Sequence, residues 1–198
     1  MARGASPPPV VLARSFYRRD ARVVAPELLN KLLVRGERIG RIVEVEAYCG
    51  SDDPGSHAYR GRTPRTTTMF GLCGHLYVYF TYGMHHCANV VCGDEGTAAA
   101  VLLRGLDVVS GLDDMRAAYP RARTNRDLCR GPARLCRAFS FDRTFDGADL
   151  VSGDHGVVVA DDGMPPPPAP GVSTRIGLTA GADLPWRFTV PGAAGLSR

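Results

Sequence analysis

Residues 41–48 read Arg-Ile-Val-Glu-Val-Glu-Ala-Tyr, a run that alternates apolar and polar positions. Successive side chains of a β-strand point to opposite faces, so the pattern predicts one strand. Val43, Val45 and Ala47 then suit a core. Glu44, Glu46 and Tyr48 share the other face, which taken alone fits a solvated antiparallel strand as well as it fits a chemical site.

The following hydrophobic pattern predicts a hairpin: strand 75–81, a tip at Tyr82-Gly83-Met84, and a return strand 85–92. Gly83 permits the tight turn. Tyr77, Tyr79 and Thr81 share a face. An aromatic ring and a methionine at an exposed tip suggest a partner, or a tip folded back on its own domain. Residues 98–106 form an apolar strand interrupted by Arg104. A charge there needs a counter-charge, which the Glu face can supply, or an edge position open to water. Helices are predicted over 26–34 (Pro26 in the first turn), over 110–119 (Ser110 as cap, Asp113 in capping-box position) and over 132–139 (Pro132 in the first turn). Residues 156–160, 173–178 and 186–190 read as short strands, and 162–171 as a Pro-rich surface loop.

Residues 50–69 form a long polar loop carrying His57, Arg60, Arg62 and Arg65. Loops of this length are usually functional or disordered. Residues 1–9, with three prolines, read as disordered, and residues 10–198 as one domain. No apolar run approaches the ~18 residues of a membrane span, and no signal-peptide pattern opens the chain. A soluble cytoplasmic protein, a nuclear one in a eukaryote, and a monomer is expected.

Composition changes this picture at two points. The six cysteines, Cys49, Cys73, Cys87, Cys92, Cys129 and Cys136, include no Cys-x-x-Cys pair, so reduced thiols are expected. Cys73, His75, His85, His86 and Cys87 come closest to a metal set, but consecutive strand residues face opposite ways, so no metal site is expected. The net charge of +4 is made almost wholly of arginine: Lys31 is the one lysine. Seven arginines fall within 121–143, which fits a nucleic-acid patch or a solvated face paired with Asp127 and Asp142. Gly131-Pro132 sets a helix start beside Arg130 and Arg134, an arrangement that suits a phosphate.

A glutamate backed by Arg104 can activate a water for hydrolysis. Tyr48, His57 and Tyr79 are flat groups able to stack on a heterocycle. Enzymes read a base taken out of a duplex by such slots, and a wedge at a hairpin tip can fill the gap. Together these residues describe an enzyme that flips and attacks a nucleotide.

The motifs Gly-Arg-Ile-Val-Glu-Val-Glu-Ala-Tyr (40–48), Ser-His (56–57), Thr-Pro-Arg (63–65), Met-Phe (69–70), Leu-Tyr-Val-Tyr (76–79), Tyr-Gly-Met (82–84), Val-Leu-Leu-Arg (101–104), Asp-Leu-Cys-Arg-Gly-Pro-Ala-Arg-Leu-Cys (127–136) and Arg-Ile-Gly (175–177) occur in this order. This set resembles the alkyladenine (3-methyladenine) DNA glycosylase family. The resemblance implies an α+β fold, with an antiparallel, partly barrel-like sheet, flanking helices and a protruding hairpin. It implies that Glu46 is the general base acting on water against the sugar C1′. Arg104 and the Ile176 carbonyl would hold that water. Tyr48, His57, Tyr79 and Asn89 would contact the flipped base, with Asn89 excluding normal guanine. Tyr82 would intercalate, with Met84 in the minor groove, and Arg65, Arg130 and Arg134 are expected at phosphates. The implied partner is double-stranded DNA with alkylated or deaminated purines, and no cofactor is implied.

His85, His86 and Ala88 depart from bulkier or more apolar residues of relatives, which touches pocket shape rather than reaction type. Glycosylases that also nick the backbone typically use an amine; this chain offers only Lys31, far in sequence from the Glu46 motif, and the N-terminal amine, so water is expected as the nucleophile. Glu44 is expected to pair with an arginine and support the site. A non-catalytic DNA binder and a metal-dependent nuclease using Glu44 and Glu46 are the alternative classes.

Overall fold

A computed structural model describes residues 8–81 and 83–197. The expected disorder of 1–9 falls largely outside these; Pro8 and Pro9 lie in no helix or strand. In chain order the elements are β1 (Val10–Val11), α1 (Arg14–Tyr17), α2 (Ala21–Leu28), β2 (Leu32–Arg35), β3 (Arg38–Cys49), β4 (Leu76–Thr81), β5 (His85–Cys92), β6 (Ala99–Ser110), α3 (Leu112–Ala118), α4 (Pro132–Ala138), β7 (Val157–Asp161), β8 (Gly171–Ser173) and β9 (Arg187–Thr189). Short 3-10 turns cover Gly50–Asp52 and Thr67–Phe70 in the long loop. No helix among the described residues is long and apolar enough to cross a membrane.

The strands form one antiparallel sheet in the order β1-β7-β2-β3-β6-β5-β4, curled into a half-barrel. The fold is α+β, as the motifs imply. The long strand β3 organises it. Its first part pairs with β2, from Arg38 to Arg41, and on the same edge β9 takes over at Glu44–Glu46. Its other edge pairs with β6 along nearly its whole length. Bulges interrupt that ladder on both sides of Glu44. A bulge inserts an unpaired residue and shifts the alternation. The core face of β3 is therefore Ile42, Val45 and Ala47, and not Val43 with Val45 and Ala47. Val43 is buried outside that cluster. α2 and α4 cover the same side of the sheet, where Leu76, Val78, Ala88, Val90, Val101 and Leu103 join the core.

The chain departs from its predicted elements where tertiary contacts outweigh local pattern. The helix expected at 26–34 lies at Ala21–Leu28, capped by Asp20, whose carboxylate accepts the Arg22 N–H at 2.7 Å. Asn30 takes a left-handed conformation (φ 68°) and ends it. Leu32 and Leu33 then enter the sheet between β3 and β7. Ser110 does not cap α3 but still pairs in β6 with Ile39. The helix starts after Gly111, whose φ of 73° a side chain rarely adopts and whose added Cβ would meet the Glu37 carbonyl at 2.4 Å. The strand expected at 173–178 ends at Ser173, so residues 175–178 leave the sheet and turn toward β3. The hairpin and α4 lie where the pattern puts them.

Candidate active site

Register brings the site together. Glu46 lies opposite Leu102, Leu102 opposite Asn89, and Asn89 opposite Tyr77. Residues directly opposite share a face, and strands lie about 4.8 Å apart, so this row crosses roughly 14 Å of sheet. Alternation adds Tyr48, Ala100, Arg104, Cys87 and Tyr79 to the same face. One end of the row is a carboxylate and the other is an aromatic wall.

Glu46 is fully buried. It accepts from the Ile176 backbone N–H at 2.8 Å and the Tyr48 hydroxyl at 2.9 Å, and Arg104 Nη1 stands 3.3 Å away. Burial, and then the Glu46 charge, push the Tyr48 phenol well above its usual range, so it keeps its proton and acts as the donor. Oε1 faces both Ile176 and Arg104, and Oε2 faces Tyr48, which leaves Oε2 the capacity to accept one further hydrogen bond. Glu46 itself meets Ile176 through the backbone amide.

Arg104 is not at an edge: β3 pairs one side of β6 and, past the end of β5, the Gly131 N–H bonds the Arg104 carbonyl at 3.0 Å on the other, so Arg104 meets the Glu face as its position requires. Its Nε donates to Glu44 at 3.1 Å and its Nη2 to Ser197 Oγ at 3.2 Å. Glu44 is fully buried and also accepts from Arg187 at 2.7 Å and from the Ser197 N–H and hydroxyl. The expected arginine partner of Glu44 is thus two arginines. Burial alone would raise its pKa, but the Ser197 and Arg187 bonds and the Arg104 charge outweigh it, and Glu44 titrates below its usual value. The sign follows: stability from Glu44 is present above about pH 4.5, its ordinary value, and is lost as pH falls through the lower folded value. Thermal melts from pH 7 to 3 should show the melting temperature dropping below that point. Glu44→Gln should flatten the drop; an unchanged acid limb would refute this role.

Tyr48, His57, Tyr79 and Asn89 converge on one cavity, completed by Tyr77, Met69 and Leu178. Tyr77 and Tyr79 stack at 5.3 Å, and His57 meets Tyr79 edge-on at 4.5 Å. Burial against this wall, and then the Arg65 charge, lower the His57 pKa, so the ring is neutral at pH 7. Asn89 is buried and donates to the Tyr77 carbonyl at 3.1 Å. Beneath the cavity a small cluster of Ala58, Met69, Tyr77, Val91, Ala98 and Ala100 supports the wall. Ala88 faces the main core, so its small size bears on packing and not on this cavity. Burial pushes the Cys129 thiol up to about 12 and the Cys49 thiol to about 11, and all six cysteines are free.

A buried ion pair ties the two ends together. Arg175 and Asp53 are both fully buried and bond bidentately at 2.6 and 2.7 Å. The guanidinium also donates to the Ala47 carbonyl at 2.9 Å and lies over Tyr48 and Trp186, 4.6 and 5.1 Å from their ring centroids. Asp53 in turn accepts the Cys49 and Gly55 N–H groups, which fixes the loop leading to His57. One salt bridge thus supports Tyr48, the His57 loop and the segment bearing Ile176. Sequence reading missed Asp53 altogether and read Arg175 only as part of a motif.

Of the expected phosphate contacts, Arg130 and Arg134 line a basic groove of about 760 Å³, with Arg121 and Arg123 on its rim and Arg104 and Ser197 in its wall. Arg134 pairs with Asp127 at 3.1 Å, and Arg130 Nε donates to the Leu196 carbonyl at 2.6 Å. Arg65 lies apart, over the Tyr79 ring at 5.1 Å. Met84 is exposed at the hairpin tip, where Gly83 turns with φ 65°. Tyr82 lies outside the described residues.

Comparison with known proteins agrees with this geometry. Residues 15–194 match the methylpurine-DNA glycosylase (MPG) family. A protein of Burkholderia lata, provisionally named a 3-methyladenine DNA glycosylase, is 55% identical over 93% of this chain and 90% of its own. Similarly named proteins of Streptomyces avermitilis (46%, covering 94% of this chain and 90% of its own) and Carboxydothermus hydrogenoformans (46%, 90% and 94%) also align. The chain therefore belongs to the methylpurine-DNA glycosylase family and is a DNA-repair enzyme that hydrolyses N-glycosyl bonds in DNA.

Proposed function

We propose that this glycosylase takes an alkylated or deaminated purine (3-methyladenine, 7-methylguanine or hypoxanthine type) out of the duplex and hydrolyses its bond to C1′ with a water that Glu46 activates. The observation that carries the reading is Tyr48. Its ring lines the aromatic cavity while its hydroxyl bonds Glu46, so cavity and carboxylate are one side chain apart. A base between Tyr48, His57 and Tyr79 brings its sugar toward Glu46. Water attacks C1′, its proton passes to Glu46, and the electron pair of the broken C1′–N bond leaves with the base. A base alkylated to a cation leaves neutral; hypoxanthine needs a proton as it departs. The face of an aromatic ring favours the cations. Arg104, held by Glu44 and Ser197, and the Ile176 carbonyl orient the water. Asn89 limits what fits. Tyr82 fills the gap in the stack with Met84 beside it in the minor groove, and Arg65, Arg130 and Arg134 meet phosphates. The enzyme acts as a monomer on double-stranded DNA.

The lysine chemistry supports hydrolysis alone. Lys31 lies between α2 and β2, not in the expected helix, and its amine pairs with Asp161 at 2.7 Å while 6% exposed. The test is incubation of hypoxanthine and 7-methylguanine duplexes with excess enzyme in EDTA. Free base should appear, strand breaks should appear only after alkali, and Lys31→Ala should change neither. Release of no base from either duplex would overturn the reading. Substituting both Arg121 and Arg123 should weaken binding to any duplex and lower the salt slope by about two.

A further inference from the structure

We propose that Arg65 occupies the base cavity's aromatic wall in the free protein and moves to a DNA phosphate on binding, so that docking on the backbone opens the cavity. This rests on the base-cavity reading of the proposed function.

Three observations point the same way. First, the Arg65 guanidinium lies 5.1 Å from the Tyr79 centroid, inside the roughly 6 Å reach of a cation–π contact. A stacking base needs that same ring. Second, the wall is closed upon itself. Tyr77 stacks on Tyr79 at 5.3 Å and His57 abuts it at 4.5 Å. The cavity holds only about 60 Å³, well short of the roughly 300–1,000 Å³ of a ready small-molecule site. Third, Arg65 belongs to a loop and is exposed, and among the described residues no carboxylate forms a salt bridge with it. What holds it is the Tyr79 face and a hydrogen bond to the neutral Tyr77 hydroxyl, with no counter-charge among the described salt bridges. A phosphate offers a charge-assisted, bidentate partner, which is the better contact for a guanidinium. The Arg65 charge also acts on the wall, helping to keep His57 neutral and offsetting part of the burial that raises Tyr77.

Exchange between the two partners couples them. While Arg65 covers Tyr79, an incoming base must displace it. Once a phosphate takes the guanidinium, the ring is free. Free bases should therefore bind the apoprotein poorly, and removing Arg65 should improve that binding. An exposed cation–π contact corresponds to roughly a two- to five-fold gain.

The test uses the full chain and free hypoxanthine as probe, titrated by NMR without DNA, for wild type, Arg65→Ala and the exposed loop control Arg60→Ala. Duplex binding is measured beside it across a salt series. The expected result is hypoxanthine binding about two- to five-fold tighter in Arg65→Ala, a salt slope lower by about one for the same variant, and no change in base binding for Arg60→Ala. Arg65→Ala binding hypoxanthine no tighter than wild type overturns the proposal, whatever the salt slope. Base excision by wild type, assayed in parallel, separates the two failures: excision without the affinity gain rejects the Arg65 exchange and leaves the glycosylase reading intact.

Discussion

Glu46→Gln should slow base release by about 10²–10⁴-fold under single-turnover conditions, the usual contribution of a general base, while DNA binding stays within a few-fold of wild type. Glutamine keeps the volume and can still accept from the Ile176 amide through its carbonyl oxygen. It loses the second acceptor oxygen, which faces Tyr48. The substitution should spare the fold, because Arg104 keeps its 3.1 Å bond to Glu44 and no buried cation is orphaned. A fall of less than about ten-fold would place the base elsewhere.

The second large effect concerns stability. Arg175→Met leaves Asp53 charged and fully buried with its bidentate partner gone. Removing one side of such a pair costs about 3–5 kcal/mol, and a domain of this size loses roughly 2–4 °C per kcal/mol. The melting temperature should therefore fall by roughly 6–20 °C. Asp53→Leu combined with Arg175→Met should lose less than Arg175→Met alone, because no unpaired charge remains. Differential scanning calorimetry on the three proteins decides this, and a drop below about 2 °C for Arg175→Met would mean that water or another donor satisfies Asp53. At temperatures where Arg175→Met is folded, excision should fall further than DNA binding does. The guanidinium lies over Tyr48, and the next residue gives its amide to Glu46.

Much of the site could be read in the chain because alternation in four strands fixes which residues share a face. Glu46, Arg104, Asn89 and Tyr79 all lie on strands whose patterns were plain, and the sheet register joins them. Periodicity gave no sign of the bulges beside Glu44, because a bulge depends on how β6 pairs and not on the composition of β3. The Asp53–Arg175 pair spans 122 residues, and an Asp in a polar loop looks like any solvated turn residue. Ser197 gave no signal at all; its role comes from the terminal segment packing against Leu106 and Glu44. The misplaced helix at 26–34 has a similar cause. Leu32, Leu33 and Val34 fit a helical stripe as well as a strand, and only the vacancy between β3 and β7 selects the strand. The resemblance puts Arg65 at a phosphate, whereas in this structure its guanidinium lies over the Tyr79 ring.

The central claim is that one glycosidic bond is cut by water activated at Glu46 with the backbone left whole. Intact-mass spectrometry of a hypoxanthine-containing strand, after a single turnover in EDTA, tests it most directly with wild type and Glu46→Gln side by side. The account predicts a full-length strand that has lost hypoxanthine and gained water with wild type, and an unchanged strand, still bound, with Glu46→Gln. A shortened strand, or equal conversion by both proteins, would contradict it.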